Sequence, residues 1–191
     1  MKISSFYDEW FSQRLGSRPT ISKRILFNEI YHLIKQKSNS MPRKTLSLLD
    51  VGCGAGHFLN HIKGHFDLDI TGIDITDKVV QALSRKYSFA DFKTLNFSEP
   101  QKIEKQFDIV TAIEILEHIP FRQQDTFIEN FWNSLKKGGE LLLTTPNQAR
   151  SHRIPLAFKT TQPVEDWLTP DQLTDLLRNY FSEIKITTCI W

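Results

Sequence analysis

The chain has 191 residues, of which 40% are hydrophobic and 24% charged, and its formal net charge is +2. These values are typical of one globular domain with a substantial core, and they give no strong signal for nucleic-acid binding. No apolar run approaches the ~20 residues that cross a bilayer, no leader pattern is visible, and two cysteines make no disulfide framework. The composition therefore predicts a cytoplasmic protein without a transmembrane segment, and it leaves the oligomeric state open.

The first 40 residues predict two helices. Aromatic residues at near-helical spacing indicate a short amphipathic helix over 4–15, and these residues are Phe6, Tyr7, Trp10 and Phe11. A Gly-Ser-Arg-Pro break at 16–19 separates it from a second helix over 21–37. The aromatic face has two interpretations, core packing or a lid over a ligand. We treat residues 1–40 as an N-terminal helical cap on a domain formed by 41–191, with both in one structural domain.

From residue 41 onwards, short apolar segments alternate with helical segments. Strands are predicted near 46–51, 69–73, 89–95, 107–113, 139–145 and 183–190. Helices are predicted near 56–63, 77–87, 122–136 and 170–179. This alternation is typical of an α/β fold with a mostly parallel, doubly wound sheet that is flanked by helices.

A glycine-rich loop after the first strand is the most informative motif. The strand ends at Asp50, and the loop that follows contains Gly52, Cys53, Gly54 and Gly56. Glycine permits positive φ and a close approach of a ligand to the backbone. Eighteen residues after Gly56, the second strand ends at Asp74, which Ile75 follows. An acid at this distance can bind both hydroxyls of a ribose, so the pattern predicts a site for a nucleoside-containing cofactor.

The spacing of the glycines excludes two common nucleotide motifs. It is G-x-G-x-G, whereas the dinucleotide fingerprint is G-x-G-x-x-G. No Lys-Ser or Lys-Thr pair follows the glycines, as the phosphate-binding loop of nucleotide hydrolases requires. The loop alone is a weak signal, and its value depends on the motifs that follow.

Four segments in order resemble the motifs of class I S-adenosylmethionine-dependent methyltransferases: Leu48–Phe58, Gly72–Thr76, Phe107–Pro120 and Gly138–Asn147. The resemblance implies a Rossmann-like fold with S-adenosyl-L-methionine as the cofactor. The cofactor-binding residues it implies are Asp50, Gly52, Cys53, Gly54, Gly56, Asp74, Ile75, Asn96, Phe97 and Glu114. Of these, Asn96 would bond the exocyclic amine of adenine and Phe97 would pack on its ring. The family has seven strands, so we expect the seventh to be missing here.

The segment Glu114-x-x-Glu117-His118 resembles the ubiquinone-biosynthesis O-methyltransferase branch, which is associated with a divalent metal. A helical turn would place Glu114, Glu117 and His118 on one face, where they would suit Mg²⁺. The alternative is that His118 is a general base without metal and that Glu117 is its ion-pair partner or a cap. The branch has His-Asp-Trp where this chain has Glu165-Asp166-Trp167, so a metal there would meet a carboxylate.

The predicted function is transfer of a methyl group from S-adenosyl-L-methionine to a small molecule, at an oxygen, by in-line displacement. Glu117 and His118 are the candidate catalytic residues. Two alternatives stay open: an RNA methyltransferase and a non-catalytic cofactor-binding subunit. Small-RNA 2′-O-methyltransferases also contain Glu-x-x-Glu-His, but this chain lacks their later His-x-x-His segment.

Overall fold

The computed structural model describes residues 3–12, 17–41, 44–149 and 162–188. The helices are α1 (Ile3–Ser12), α2 (Ile21–Ser40), α3 (His57–Ile62), α4 (Asp77–Lys86), α5 (Phe121–Ser134) and α6 (Pro170–Arg178). The strands are β1 (Leu46–Val51), β2 (Leu68–Asp74), β3 (Asp91–Thr94), β4 (Phe107–Ile113) and β5 (Leu135–Thr144). A short 3-10 helix, Leu116–His118, lies between β4 and α5. None of the described helices is long and apolar enough to cross a membrane.

The strands form one parallel sheet in the order β3-β2-β1-β4-β5. The order reverses between β1 and β4, where β1 pairs with β2 on one side and with β4 on the other. In doubly wound sheets, the crevice at the carboxyl ends of the strands beside this reversal is where ligands bind. The predicted α/β fold is confirmed. The crevice at the reversal lies beside the glycine loop, because this loop follows β1.

Helices cover both faces of the sheet. All six residues of β1 are buried, as expected for a central parallel strand, and Leu48 and Leu49 contribute to opposite cores. On one face, α2 and α3 contribute Leu26, Phe27, Ile30, Ile34, Phe58 and Leu59. On the other face, α5 contributes Phe127, Ile128 and Phe131. Because α2 shares a core with β1, this helix packs on the sheet. The boundary between an N-terminal cap and the following domain at residue 40 stays a prediction.

Helix starts follow the capping chemistry of the sequence. The Thr169 hydroxyl accepts a hydrogen bond from Gln172 N, and the Gln172 side chain accepts one from Thr169 N. With Pro170 at the first turn, this capping box fixes the start of α6 at the predicted residue. At the start of α2, Thr20 Oγ1 accepts a hydrogen bond from Lys23 N over 3.3 Å.

Two predictions about the end of the sheet are wrong. The predicted sixth strand near 183–190 does not form over 183–188, and residues 189–191 lie outside the described part. The predicted helix 122–136 ends at Ser134, and β5 begins at Leu135 instead of near 139. Lys136 explains the early start, because its Nζ lies 2.8 Å from Asp108 Oδ2 in β4. A register irregularity then separates the pair Phe107–Leu135 from the rest of the β4–β5 ladder.

Candidate active site

The glycine loop is bound directly to the end of β2. Gly52 N and Cys53 N both donate to Ile73 O, at 2.8 and 3.0 Å. Gly54 has φ +48°, and a Cβ added there would lie 2.9 Å from the ring of Phe11 in α1. Gly56 has φ +71°, and a Cβ added there would lie 2.9 Å from Leu83 in α4. The loop therefore requires glycine for both backbone conformation and packing.

Asp74 contacts the glycine loop directly. Its Oδ2 accepts a hydrogen bond from Gly54 N and its Oδ1 accepts one from Thr76 N, both at 2.9 Å. Burial raises the pKa of Asp74, although the hydrogen bonds from Thr76 and Gly54 oppose this effect. Each carboxylate oxygen can accept a second hydrogen bond. The carboxylate can therefore still receive the hydroxyls of a ribose at the edge of the loop.

Asp50 and Cys53 lie beneath the loop in the protein interior. Asp50 is 3% exposed, and its Oδ1 accepts a hydrogen bond from the Thr111 hydroxyl over 2.7 Å. Burial raises the pKa of Asp50 to about 7; the hydrogen bond from Thr111 opposes this rise, and the negative charge of Asp74 adds to it. Burial also raises the pKa of the Cys53 thiol. The Cys53 thiol is therefore neutral. For Asp50, the protein interior disfavours the ionised carboxylate relative to the protonated acid.

The predicted adenine-binding residues occupy different environments. Asn96 is half-buried, and its Oδ1 accepts hydrogen bonds from the backbone N–H and hydroxyl of Ser98. The Phe97 ring is buried in the core, with centroids 5.9 Å from Phe127 and 5.4 Å from Phe131. An adenine contact by this ring would compete with its core packing. Ile75 is half-buried directly after Asp74.

The turn after β4 differs from the predicted helical turn. Glu114 lies before the 3-10 helix with φ +53°, the left-handed region that costs a residue other than glycine about 1 kcal/mol or more. Its N–H donates to Thr144 O over 3.1 Å, which ties the turn to the end of β5. Glu117 is 3% exposed, and its Oε2 accepts a hydrogen bond from the Thr145 hydroxyl over 3.1 Å. Glu114, Glu117 and His118 are therefore not on one α-helical face.

His118 is held in one tautomer. Its Nδ1 lies 3.1 Å from Val164 O, and since a carbonyl can only accept, Nδ1 carries the hydrogen. Burial lowers the pKa of His118, so the ring is neutral and Nε2 has a free lone pair. This Nε2 lies 3.7 Å from Glu117 Oε1. Burial, and then the charge of Glu114, raise the pKa of Glu117. The arrangement is a neutral base beside a buried carboxyl group.

The segment after the undescribed residues 150–161 supports this pair. Asp166 N donates to Glu117 O over 2.8 Å, and Asp166 Oδ2 accepts from Phe121 N over 2.9 Å. Gln124 Nε2 donates to Asp166 O and to Ile119 O, both at 3.0 Å. These supporting roles were not predicted from the sequence. The Glu-Asp-Trp pattern at 165–167 marked the neighbourhood of Asp166 in the sequence. No motif around Gln124 indicates its role.

The structure does not support the predicted Mg²⁺ site. Across the four described ranges, no group of three or more His, Cys, Asp and Glu residues is arranged to hold a metal ion. The positive φ of Glu114 takes it out of the helical register that the prediction required. His118 uses one ring nitrogen for Val164, and Glu117 uses one carboxylate oxygen for Thr145.

The parallel sheet, the glycine loop at its reversal and the acid at the end of β2 define a class I S-adenosylmethionine-dependent methyltransferase fold. The model of a methyltransferase domain family matches residues 22–186. The chain belongs to this family.

Similar proteins agree with the assignment. The chain is 28% identical over 169 residues to the mitochondrial ubiquinone biosynthesis O-methyltransferase of Bos taurus. This match covers 78% of the chain and 45% of that protein. It is 30% identical over 156 residues to ubiquinone biosynthesis O-methyltransferase of Coxiella burnetii, covering 77% of the chain and 61% of that protein. The chain thus spans about half to three fifths of the length of these relatives.

Solved structures show the same fold. The N-methyltransferase NodS from Bradyrhizobium japonicum, in complex with S-adenosyl-L-homocysteine, has a TM-score of 0.67 and 18% sequence identity. The match covers 97% of this chain and 89% of NodS. The DhpI–SAH complex also has a TM-score of 0.67, at 16% identity, and covers 92% of this chain and 84% of the other.

Proposed function

We propose that this protein transfers the methyl group of S-adenosyl-L-methionine to a hydroxyl oxygen of a small molecule, with His118 as the general base. The observation that carries the proposal is the orientation of His118, whose Nδ1 lies 3.1 Å from Val164 O, which leaves Nε2 to accept a proton. Family membership supports the cofactor, and the curated O-methyltransferase relatives support the oxygen.

The residues divide into a cofactor side and an acceptor side. Asp74 and the backbone of the glycine loop hold the adenosyl part, with the loop tied to β2 through Gly54 N and Asp74 Oδ2. When bound, the cofactor supplies a methyl group that its positive sulfur activates. Nε2 of His118 would take the proton of the acceptor hydroxyl, whose oxygen would receive the methyl group, and the electron pair of the carbon–sulfur bond would leave with the neutral thioether product.

Glu117 completes the base. After His118 takes a proton, the imidazolium lies beside Glu117, whose Oε1 is 3.7 Å from Nε2 before the reaction. A carboxyl group held there by Thr145 stabilises the charge that develops on the ring. The remaining task is to hold the oxygen, methyl carbon and sulfur in line, which is a matter of positioning.

The test of this proposal measures cofactor binding and methyl transfer separately. Asp74→Ala should abolish binding of S-adenosyl-L-homocysteine in calorimetry while the protein stays folded by circular dichroism. His118→Gln should keep that binding and lower methyl transfer to phenols or catechols by about 10²–10⁴-fold. His65→Gln is the control, because His65 is an exposed histidine after α3. Because burial lowers the pKa of His118, the acid limb of kcat/KM should lie below pH 6.5.

The same assays separate the alternatives. Transfer to tRNA but not to small molecules would favour the RNA methyltransferase, and binding without transfer would favour a non-catalytic subunit. If Mg²⁺ acted through Glu114, Glu117 and His118, a chelator would abolish transfer, whereas the base mechanism predicts no loss. The small-molecule acceptor and the cytoplasmic location stay predictions.

A further inference from the structure

Helix α1 joins the two sides of the proposed site. Phe11 lies against Gly54 of the glycine loop, so a ligand that approaches this backbone meets α1 first. One turn earlier, the Tyr7 ring centroid lies 6.2 Å from that of His118. The helix also packs against α4, which follows Asp74. Tyr7 therefore lies between the cofactor side and the base.

The Tyr7 hydroxyl is buried without a hydrogen-bond partner within the described part of the chain. Tyr7 as a whole is only 8% exposed. Burying an unpaired hydroxyl is unfavourable, and such groups in folded proteins usually have a partner. An unpaired hydroxyl beside a ligand site indicates that the ligand supplies the missing partner.

The charges around Tyr7 indicate what kind of partner fits. Burial, followed by the negative charges of Glu117, Glu165 and Asp74, raises the pKa of Tyr7. The phenol is therefore neutral, and its oxygen lies in a region of negative potential. A cationic group would be attracted there, and S-adenosyl-L-methionine carries two, the sulfonium and the α-ammonium of its methionyl part.

We propose that Tyr7 is a cofactor-binding residue, whose hydroxyl oxygen contacts the positively charged sulfonium of S-adenosyl-L-methionine beneath α1. The inference rests on the proposed function for the identity of the cofactor. It adds a residue from α1 to a site that is otherwise built from the carboxyl ends of the strands. It also assigns selectivity, because the product S-adenosyl-L-homocysteine lacks the sulfonium charge.

The test is Tyr7→Phe, which removes only the hydroxyl and keeps the ring beside Phe6, Phe11 and His118. Calorimetry should show a threefold to tenfold weaker affinity for S-adenosyl-L-methionine, about the effect of one lost polar contact. The loss of affinity for S-adenosyl-L-homocysteine should be smaller. The melting temperature of the unliganded variant should be unchanged or higher, because the hydroxyl that is removed was unpaired. Tyr31→Phe in α2 is the matched control.

A second variant tests the charge. Glu165 is exposed, so Glu165→Gln should leave folding intact and weaken binding of S-adenosyl-L-methionine more than that of S-adenosyl-L-homocysteine. Equal affinities of Tyr7→Phe and wild type for S-adenosyl-L-methionine would overturn the proposal. A lower unliganded melting temperature with equal losses for both ligands would also overturn it, since that result marks a structural role. If wild-type protein binds neither ligand, the proposed function fails as well.

Discussion

The protonation of Asp50 makes a sharp prediction about stability. Burial raises its pKa from an ordinary value of 3.8 to about 7. Between about pH 4 and pH 7, the folded protein holds a proton on Asp50 that the unfolded chain has released. The free energy of unfolding contributed by this group therefore falls as the pH rises through that interval, and it is constant above pH 7. At about 1.4 kcal/mol for each pKa unit, ionised Asp50 costs the folded state about 4 kcal/mol at pH 8.

The substitution Asp50→Asn removes this cost. The Asn Oδ1 can still accept the hydrogen bond from the Thr111 hydroxyl, which is 2.7 Å long in the wild type. Since Asn stays neutral, the variant should gain stability relative to wild type as the pH rises. The interval from pH 5 to pH 7 accounts for about 3 kcal/mol of the difference.

Urea unfolding at pH 5, 6.5 and 8, followed by tryptophan fluorescence, measures this difference. Asp91→Asn in β3 is the control, because it changes an exposed aspartate in the same sheet. Parallel stability curves for wild type and Asp50→Asn across this pH range would refute the reasoning. Divergence of the Asp91→Asn curve to the same extent would refute it too.

Two further substitutions test the fold. Asp108 accepts hydrogen bonds from Lys44 Nζ at 2.7 Å and from Lys136 Nζ at 2.8 Å. These bonds outweigh the effect of burial and hold the pKa of Asp108 below its usual range. Asp108→Asn should therefore lower the free energy of unfolding, measured in urea at pH 7, by about 2 kcal/mol. Gly56 and Gly64 both have positive φ, but an added Cβ meets Leu83 only at Gly56, so Gly56→Ala should lower the melting temperature more than Gly64→Ala.

The parts of the fold that local chemistry determines were predicted. The bounds of β1 and β4 are those expected, because each is a short apolar run between polar or glycine-rich segments. The start of β5 was missed because it depends on Lys136 reaching Asp108, 28 residues earlier in the chain. The strand predicted near 183–190 failed over its described residues, since β propensity forms a strand only where a partner strand is available.

The candidate site divides in the same way. The glycine spacing and the distance to Asp74 are local signals, and the structure brings these groups into contact. The turn at Glu114 was predicted as helical because the i, i+3, i+4 spacing carries no information about a positive φ. The position of Tyr7 beside His118 depends on how α1 packs across the glycine loop. The aromatic spacing of α1 does not determine this packing, so the sequence left both a core role and a lid role open.

The two ends of the central strands balance charge differently. At the amino end of β4, Asp108 is neutralised by Lys44 and Lys136. At the carboxyl end, no described Lys or Arg forms an ion pair with Asp50, Asp74, Glu114 or Glu117. Burial raises the pKa of all four groups, so this end destabilises the empty protein as the pH rises. A cationic cofactor would add positive charge at this end, whereas removing these carboxylates would stabilise the protein at the expense of binding.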